Sequence, residues 1–268
     1  MHNEILTIGK FTIHGYGLMI GIGFLLAVLV GMYRAKKNGL DKEAVLDIAI
    51  YAIVAGFLGG KLLYIIVEWE RFIDNPKSVI GSSGFVVYGG IVLGVLAGFI
   101  YCKIKKISFV KYFDLIMPEI AIAQGFGRIG CFLAGCCYGK ETDSFLGVVF
   151  PSGGLAPAGV KILPTQLFMS AGDFLIALGL ILYSRKNKTD GNIGAGYLVL
   201  YGLGRFAIEF LRNDSRGEVG VLSTSQFISI FIVAIGIGLF AFNIIKQRRT
   251  AETVAAVTED KADNSSNE

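Results

Sequence analysis

In YGLGRFAIEFLRND, Tyr201, Arg205, Glu209 and Arg212 follow one another at i, i+4, i+8 and i+11. On one continuous helix those positions share a face. A second stretch, GRIGCFLAGCCYG at residues 127–139, places Arg128, Cys131, Cys136, Cys137 and the glycines Gly127, Gly130, Gly135 and Gly139 together. Gln124 and Arg128, four apart, also share a face. Two chemistries fit. An Arg205–Glu209 pair can neutralise itself and hold helices together. Alternatively, Arg128, Arg205, Arg212 and Lys61 exceed Glu209 in charge and call for an anion. Arginine binds phosphate oxygens bidentately, so a phospholipid headgroup is the natural candidate.

The rest of the chain must position these groups. Its 268 residues are 53% hydrophobic and only 17% charged, with a mean hydropathy of +0.62. Apolar runs long enough to cross a bilayer core of roughly 30 Å recur. Alternating ten-residue strands are absent, so helices rather than a barrel satisfy the backbone in lipid. The expected fold is an all-α integral membrane protein with about seven transmembrane helices near 16–33, 46–67, 85–102, 112–130, 166–184, 193–211 and 224–245. The net charge of +4 is gathered in short clusters between apolar runs, which is not a nucleic-acid signature.

Those clusters also orient the chain. Arg34, Lys36 and Lys37 follow the first run; Lys103, Lys105 and Lys106 the third; Arg185, Lys186 and Lys188 the fifth; Lys246, Arg248 and Arg249 the seventh. The intervening connections carry mixed charge. The positive-inside rule therefore puts the N-terminus outside and the C-terminus in the cytoplasm. The start, MHNEILTIGKF, lacks the basic region of a cleaved signal, so the first run is expected to stay as a helix. Residues 1–247 form the expected membrane domain, and 248–268 an expected disordered polar tail.

With this orientation the polar residues sort to one level. His14 and Tyr16 open the first span, Lys61 lies in the outer half of the second, and Tyr88 starts the third. Arg128 and Cys131 end the fourth, Gln166 begins the fifth, and Arg205, Glu209 and Arg212 close the sixth. Ionisable groups inside a membrane usually face an interior or a water-filled cavity. Singly, His14 reads as a hydrogen-bonded interfacial group and Tyr16 as an interfacial anchor. Gly127 and Gly130 read as packing glycines. The C-x4-C-C spacing is not a recognised zinc pattern. A Cys131–Cys136 disulfide, buried inert thiols and a thiol-reactive site remain open, in that order.

Over roughly residues 8 to 245 the chain resembles the bacterial prolipoprotein diacylglyceryl transferase family. HGYGLMIGIGF resembles that family's H-x-Y-G-L-M opening, GGKLLYIIVE its G-x-R-L-x-Y piece with Lys61 for arginine, and VVYGGIVLG its H-G-G segment. DLIMPEIAIAQGFGRIGCFLAGCCYG resembles its D-x-x-x-P…G-R-x-G-N-F-x-N-G-E-x-x-G signature, LPTQLF its P-[ST]-Q-L-Y piece, and YGLGRFAIEFLRND its Y-G-x-x-R-F-x-x-E-x-x-R block. The resemblance implies a multi-pass enzyme of the bacterial cell (inner or plasma) membrane. It would move a diacylglyceryl group from phosphatidylglycerol to the lipobox cysteine of a preprolipoprotein, forming a thioether. No metal or soluble cofactor is required. By the same resemblance Arg128 and Arg205 clamp the phosphate, and Glu209 orients Arg205. Tyr16 and Gln166 line the lipid pocket, Tyr201 supports the arginine face, and Gly139 closes the signature turn. His14, Lys61, Arg212 and Cys131 are further substrate-side candidates.

The sequence departs from that pattern. Tyr88 stands for the histidine of H-G-G, Cys131 and Ala134 for the two asparagines, and Cys136 for the glutamate. A phenol of pKa about 10 is a poorer base than imidazole unless a cation lowers it. Three rival readings follow: a related phospholipid-headgroup or lipid transferase with another acceptor, a non-enzymatic anion-binding membrane transporter or scaffold, and a membrane thiol-redox protein.

Overall fold

A computed structural model describes residues 4–8, 11–151, 155–187, 189–213 and 217–265. It divides into two compact units, one of Met1–Ala27 with Phe113–Glu268 and one of Val28–Tyr112. The elements in chain order are β1 (Glu4–Ile8), β2 (Phe11–His14), α1 (Gly15–Lys37), α2 (Lys42–Val67), α3 (Trp69–Asp74), α4 (Pro76–Gly81), α5 (Val87–Ile104) and α6 (Phe109–Ala134). There follow β3 (Val148–Val149), β4 (Lys161–Ile162), α7 (Thr165–Lys186), α8 (Asn192–Glu209), β5 (Glu218–Val219), β6 (Leu222–Ser223) and α9 (Thr224–Ser265).

The architecture is helical, with three small antiparallel strand pairs that the apolar pattern does not predict. Each of the seven expected segments falls on a long helix. Two expected edges fall outside their helices, since α5 begins at Val87 rather than 85 and α8 ends at Glu209 rather than 211, while most other helix ends run a few residues beyond the expected bounds. The backbone of α9 is helical to Ser265; of the tail expected over 248–268, residues 266–268 lie outside the described residues.

Among the described residues, five segments are long and apolar enough to cross a membrane: Gly15–Lys37, Lys42–Val67, Val87–Ile104, Thr165–Lys186 and Thr224–Gln247. They expose large apolar side chains such as Leu25, Phe57, Val92, Leu175 and Phe242, a surface suited to lipid rather than water. The other two long helices, α6 and α8, carry the polar groups of interest.

In the unit Val28–Tyr112, α2 and α5 meet through glycines. Asp41 caps α2 by accepting a hydrogen bond from the Glu43 amide at 2.9 Å. A Cβ on Gly89 would lie 2.3 Å from the Gly59 carbonyl oxygen and 2.6 Å from Leu63 Cβ. The backbones approach this closely only because neither residue has a side chain. Tyr101 adds a hydrogen bond from α5 to Asp47 of α2, at 2.6 Å. Gly89→Leu should therefore force the helices apart and cost about 1–3 kcal/mol or more. Thermal unfolding in detergent checks this, and an unchanged Tm would refute the close-packed seam.

In the other unit, Met117 and Ala121 of α6, Ala177 and Leu180 of α7, and Ile193 and Tyr197 of α8 form one buried cluster. Asp114 of α6 accepts from the amides of Gly191 and Gly194 at 2.6 and 2.7 Å, capping α8 from a neighbouring helix. Pro118, one turn later, sits inside α6. On the other side, Gly202 and Gly236 let α8 and α9 close on Val233 and Val199. This packing fixes where the C-terminal halves of α6 and α8 can lie.

Candidate active site

Arg128 sits on α6, half-buried. Its guanidinium makes no hydrogen bond and no ion pair among the described residues. It lies within electrostatic range of Tyr201, Cys131, Asp173 and Cys137. Five planar donors without a protein acceptor are costly in such a place, and an oxyanion is their ordinary partner.

Asp173 is the counterpart that the sequence reading passed over. On α7, Gln166, Met169, Ser170, Asp173 and Ala177 share the buried stripe. Asp173 is 4% exposed, and its Oδ2 has no hydrogen-bond partner among the described residues. It lies within electrostatic range of both Arg128 and Arg205. One acidic side chain thus lies in electrostatic range of guanidinium groups on both α6 and α8. Ser170 ties the same stretch to α6 by donating to the Gly125 carbonyl at 2.9 Å.

Arg205 is buried on α8. Its Nη1 lies 2.9 Å from Glu209 Oε2, and its Nη2 donates to Ser225 Oγ of α9 at 2.6 Å. Arg212 does not extend the helical stripe, contrary to the expectation from spacing. The chain turns after Glu209, with the Leu211 and Arg212 amides bonding back to the Ile208 and Glu209 carbonyls. Arg212 then pairs as a bridge residue with Gly139. From there its Nε reaches Glu209 Oε2 at 4.0 Å, and its Nη1 faces Met169 Sδ at 4.0 Å. Among the described residues, the guanidinium groups of Arg128, Arg205 and Arg212 and the carboxyl groups of Asp173 and Glu209 are the charged groups these contacts connect. Beside them, Tyr201 stacks on Tyr197 with ring centroids 5.5 Å apart at 10°. The Tyr197 hydroxyl donates to Gln124 Oε1 at 2.8 Å.

The segment after α6 is strapped on both sides. The Gly139 amide donates to the Leu163 carbonyl and the Lys140 amide to the Leu211 carbonyl, at 3.0 and 2.9 Å. A Cβ on Gly139 would lie 2.7 Å from both Leu163 O and Thr165 Cγ2, so glycine is required by close approach. Gln166 spends its amide Nε2 on the Cys136 carbonyl at 2.7 Å, and Thr165 donates to the Cys137 carbonyl at 2.9 Å. Gln166 Oε1 is buried with no hydrogen-bond partner among the described residues. The cysteines are not disulfide-bonded, which corrects the first-ranked expectation of a Cys131–Cys136 bridge. Hydrogen bonds from the Cys131 and Cys136 thiols, with Arg212 beside them, hold the Cys137 thiol below the ordinary thiol range.

The match to known proteins is broad. The family model for prolipoprotein diacylglyceryl transferase matches residues 3–242. This chain belongs to the prolipoprotein diacylglyceryl transferase family. A Clostridium tetani protein named phosphatidylglycerol–prolipoprotein diacylglyceryl transferase is 49% identical over 238 residues, 88% of this chain and 95% of that protein. A Clostridium perfringens protein named phosphatidylglycerol–prolipoprotein diacylglyceryl transferase 2 is 48% identical over 240 residues, 88% of this chain and 93% of its own length. A Clostridioides difficile protein with the first of these names is 35% identical, covering 85% of this chain and 91% of its own.

The other expected site residues of this diacylglyceryl transferase family member divide by unit. Tyr16, in the first turn of α1, is 43% exposed. It packs where Gly130 leaves room: a Cβ there would lie 3.1 Å from the Tyr16 carbonyl oxygen. Its phenol is in electrostatic range of Cys131, Cys136, Cys137 and Arg128. His14 ends β2 opposite Glu4 and is exposed. Lys61 and Tyr88 belong to the unit Val28–Tyr112. Lys61 Nζ donates to the Ser82 carbonyl at 2.8 Å and the Gly84 carbonyl at 3.3 Å, with Ser82 Oγ at 3.4 Å. Those contacts engage the ammonium locally and staple residues 82–84 to α2. Tyr88 stands in the first turn of α5, 42% exposed.

Proposed function

We propose that this chain transfers the diacylglyceryl group of phosphatidylglycerol to the lipobox cysteine thiol of prolipoproteins. The reaction occurs in the outer half of a bacterial cell membrane that seven spans cross with the N-terminus outside. The observation that carries the reading is Arg128: a half-buried guanidinium with no hydrogen-bond acceptor among the described residues, in electrostatic range of Asp173, which is also in range of Arg205.

The chemistry follows from the charges. The thiol sulfur attacks the glyceryl carbon and forms a C–S bond. The C–O bond to phosphate breaks, and glycerol phosphate leaves with the electron pair. Arg128 and Arg205 receive the negative charge that accumulates on the departing phosphate. Glu209 and Ser225 hold Arg205 in place. Gln166 Oε1 and Asp173 Oδ2, both buried without a hydrogen-bond partner among the described residues, suit the hydroxyls of the glycerol headgroup. The thiol proton must go to a base, and Tyr88, at the position of the family's histidine, is the proposed acceptor.

The test is to deplete a host of its own prolipoprotein transferase and express this chain. Wild type should restore lipid labelling of a lipobox peptide; correct insertion without labelling would end the proposal. In the same assay Tyr88→Phe should slow transfer and alter the pH–rate profile. An unchanged profile would remove Tyr88 from the reaction.

A further inference from the structure

We propose that Cys131, Cys136 and Cys137 form a binding site for one thiophilic d10 cation of the zinc type, held by three thiolate sulfurs. Their Sγ atoms all lie within 4.8 Å of one another. A zinc–sulfur bond of about 2.3 Å makes the sulfur–sulfur edge of a tetrahedral site about 3.8 Å. Small side-chain rotations close that difference.

The backbone brings the sulfurs together without a metal. Cys131 lies in the last turn of α6, and the Cys136 amide donates to its carbonyl at 3.1 Å. Gly135 at φ +72° and Cys137 at φ +62° reverse the chain between them. A cysteine in the left-handed region is strained, and such strain persists where surrounding contacts impose it. Here Gln166 and Thr165 pin the carbonyls of Cys136 and Cys137 from the first turn of α7. The arrangement is a preformed sulfur triangle, the property that lowers the ordering cost of a metal site.

Access and charge agree with this assignment. Cys131 is buried, whereas Cys136 and Cys137 are partly exposed and give a cation its route in. On coordination each thiol that still carries its proton releases it to solvent, and no redox change is involved. Three thiolates with one divalent cation leave one negative charge, next to Arg212 at Cys137. The fourth position is left for water or a small ligand, as in open zinc sites.

The test uses the full chain, purified in detergent, reduced and stripped by chelation, with cadmium as the spectroscopic probe. Wild type should take up one cadmium per chain with an ultraviolet sulfur-to-cadmium charge-transfer band. Cys131→Ser, Cys136→Ser and Cys137→Ser should each weaken binding by about 100-fold or more, while Cys102→Ser binds as wild type. X-ray absorption on the zinc-loaded wild-type chain should count three sulfur neighbours, a reading that does not depend on any variant folding. No cadmium band from the reduced wild type, fewer than three sulfur neighbours, or a requirement for Cys102 would each overturn the assignment.

Discussion

Arg128→Ala should lower kcat/KM for diacylglyceryl transfer by about 10²–10⁴-fold and leave thermal stability nearly unchanged. The two halves of this expectation come from one observation. Arg128 makes no hydrogen bond or ion pair within the protein among the described residues, so its removal deletes packing but no polar native contact. Its donors act only when an anion arrives. Hydrogen bonds to charged groups contribute about 1.5–3 kcal/mol each, and a bidentate clamp loses two of them. Because charge grows on the phosphate as the C–O bond breaks, most of the loss should fall on kcat rather than KM. Arg128→Lys keeps the charge and loses the fork, so it should retain an intermediate rate. Steady-state kinetics with a labelled lipid and a lipobox peptide, beside a melting curve for each variant, separate these outcomes. A rate within threefold of wild type would remove Arg128 from the phosphate. A large fall in Tm would make it a structural residue instead.

The same contrast marks what the sequence could and could not disclose. Long apolar runs dictate helices because lipid leaves the backbone no alternative, so the helical architecture was legible, and five of the expected segments are, among the described residues, long and apolar enough to cross a membrane. Arg128, Arg205 and Glu209 were legible because charge in an apolar run is expensive. Asp173 carried that signal too: it is an acidic residue inside LFMSAGDFLIALGL, and depth sorting should have found it. Arg212 was misplaced because helical spacing says nothing about where a helix stops. No glycine or proline follows Glu209 directly, and the end is set by pairing with Gly139 and Lys140, more than 70 residues earlier. Lys61 was read by depth, but its partners are carbonyls 21 and 23 residues away. The cysteine triangle was hidden for a related reason. C-x4-C-C describes spacing along the chain, while the sulfurs meet through two left-handed residues and two side chains of α7.

Glu209→Gln is expected to destabilise the protein by about 3–5 kcal/mol, the cost of breaking a buried ion pair from one side. The substitution keeps shape and removes charge. In the native chain one carboxylate answers two cations: Arg205 at 2.9 Å and Arg212 at 4.0 Å, with the Glu209 side chain only 8% exposed. Without it, the buried guanidinium groups of Arg205 and Arg212 both lose a counter-charge. Arg205→Met in the same background should recover part of the loss, because one of those two charges is then gone. The coupling in this double-mutant cycle should exceed about 1 kcal/mol. Melting curves in detergent, with and without an anionic phospholipid, provide the measurement. Added phosphatidylglycerol should stabilise Glu209→Gln more than wild type, since the lipid phosphate then supplies the missing counter-charge. If Glu209→Gln melts with wild type, or the cycle is additive, the carboxylate does not balance this cluster, and Arg205 must owe its position to its other contacts, Ser225 among them.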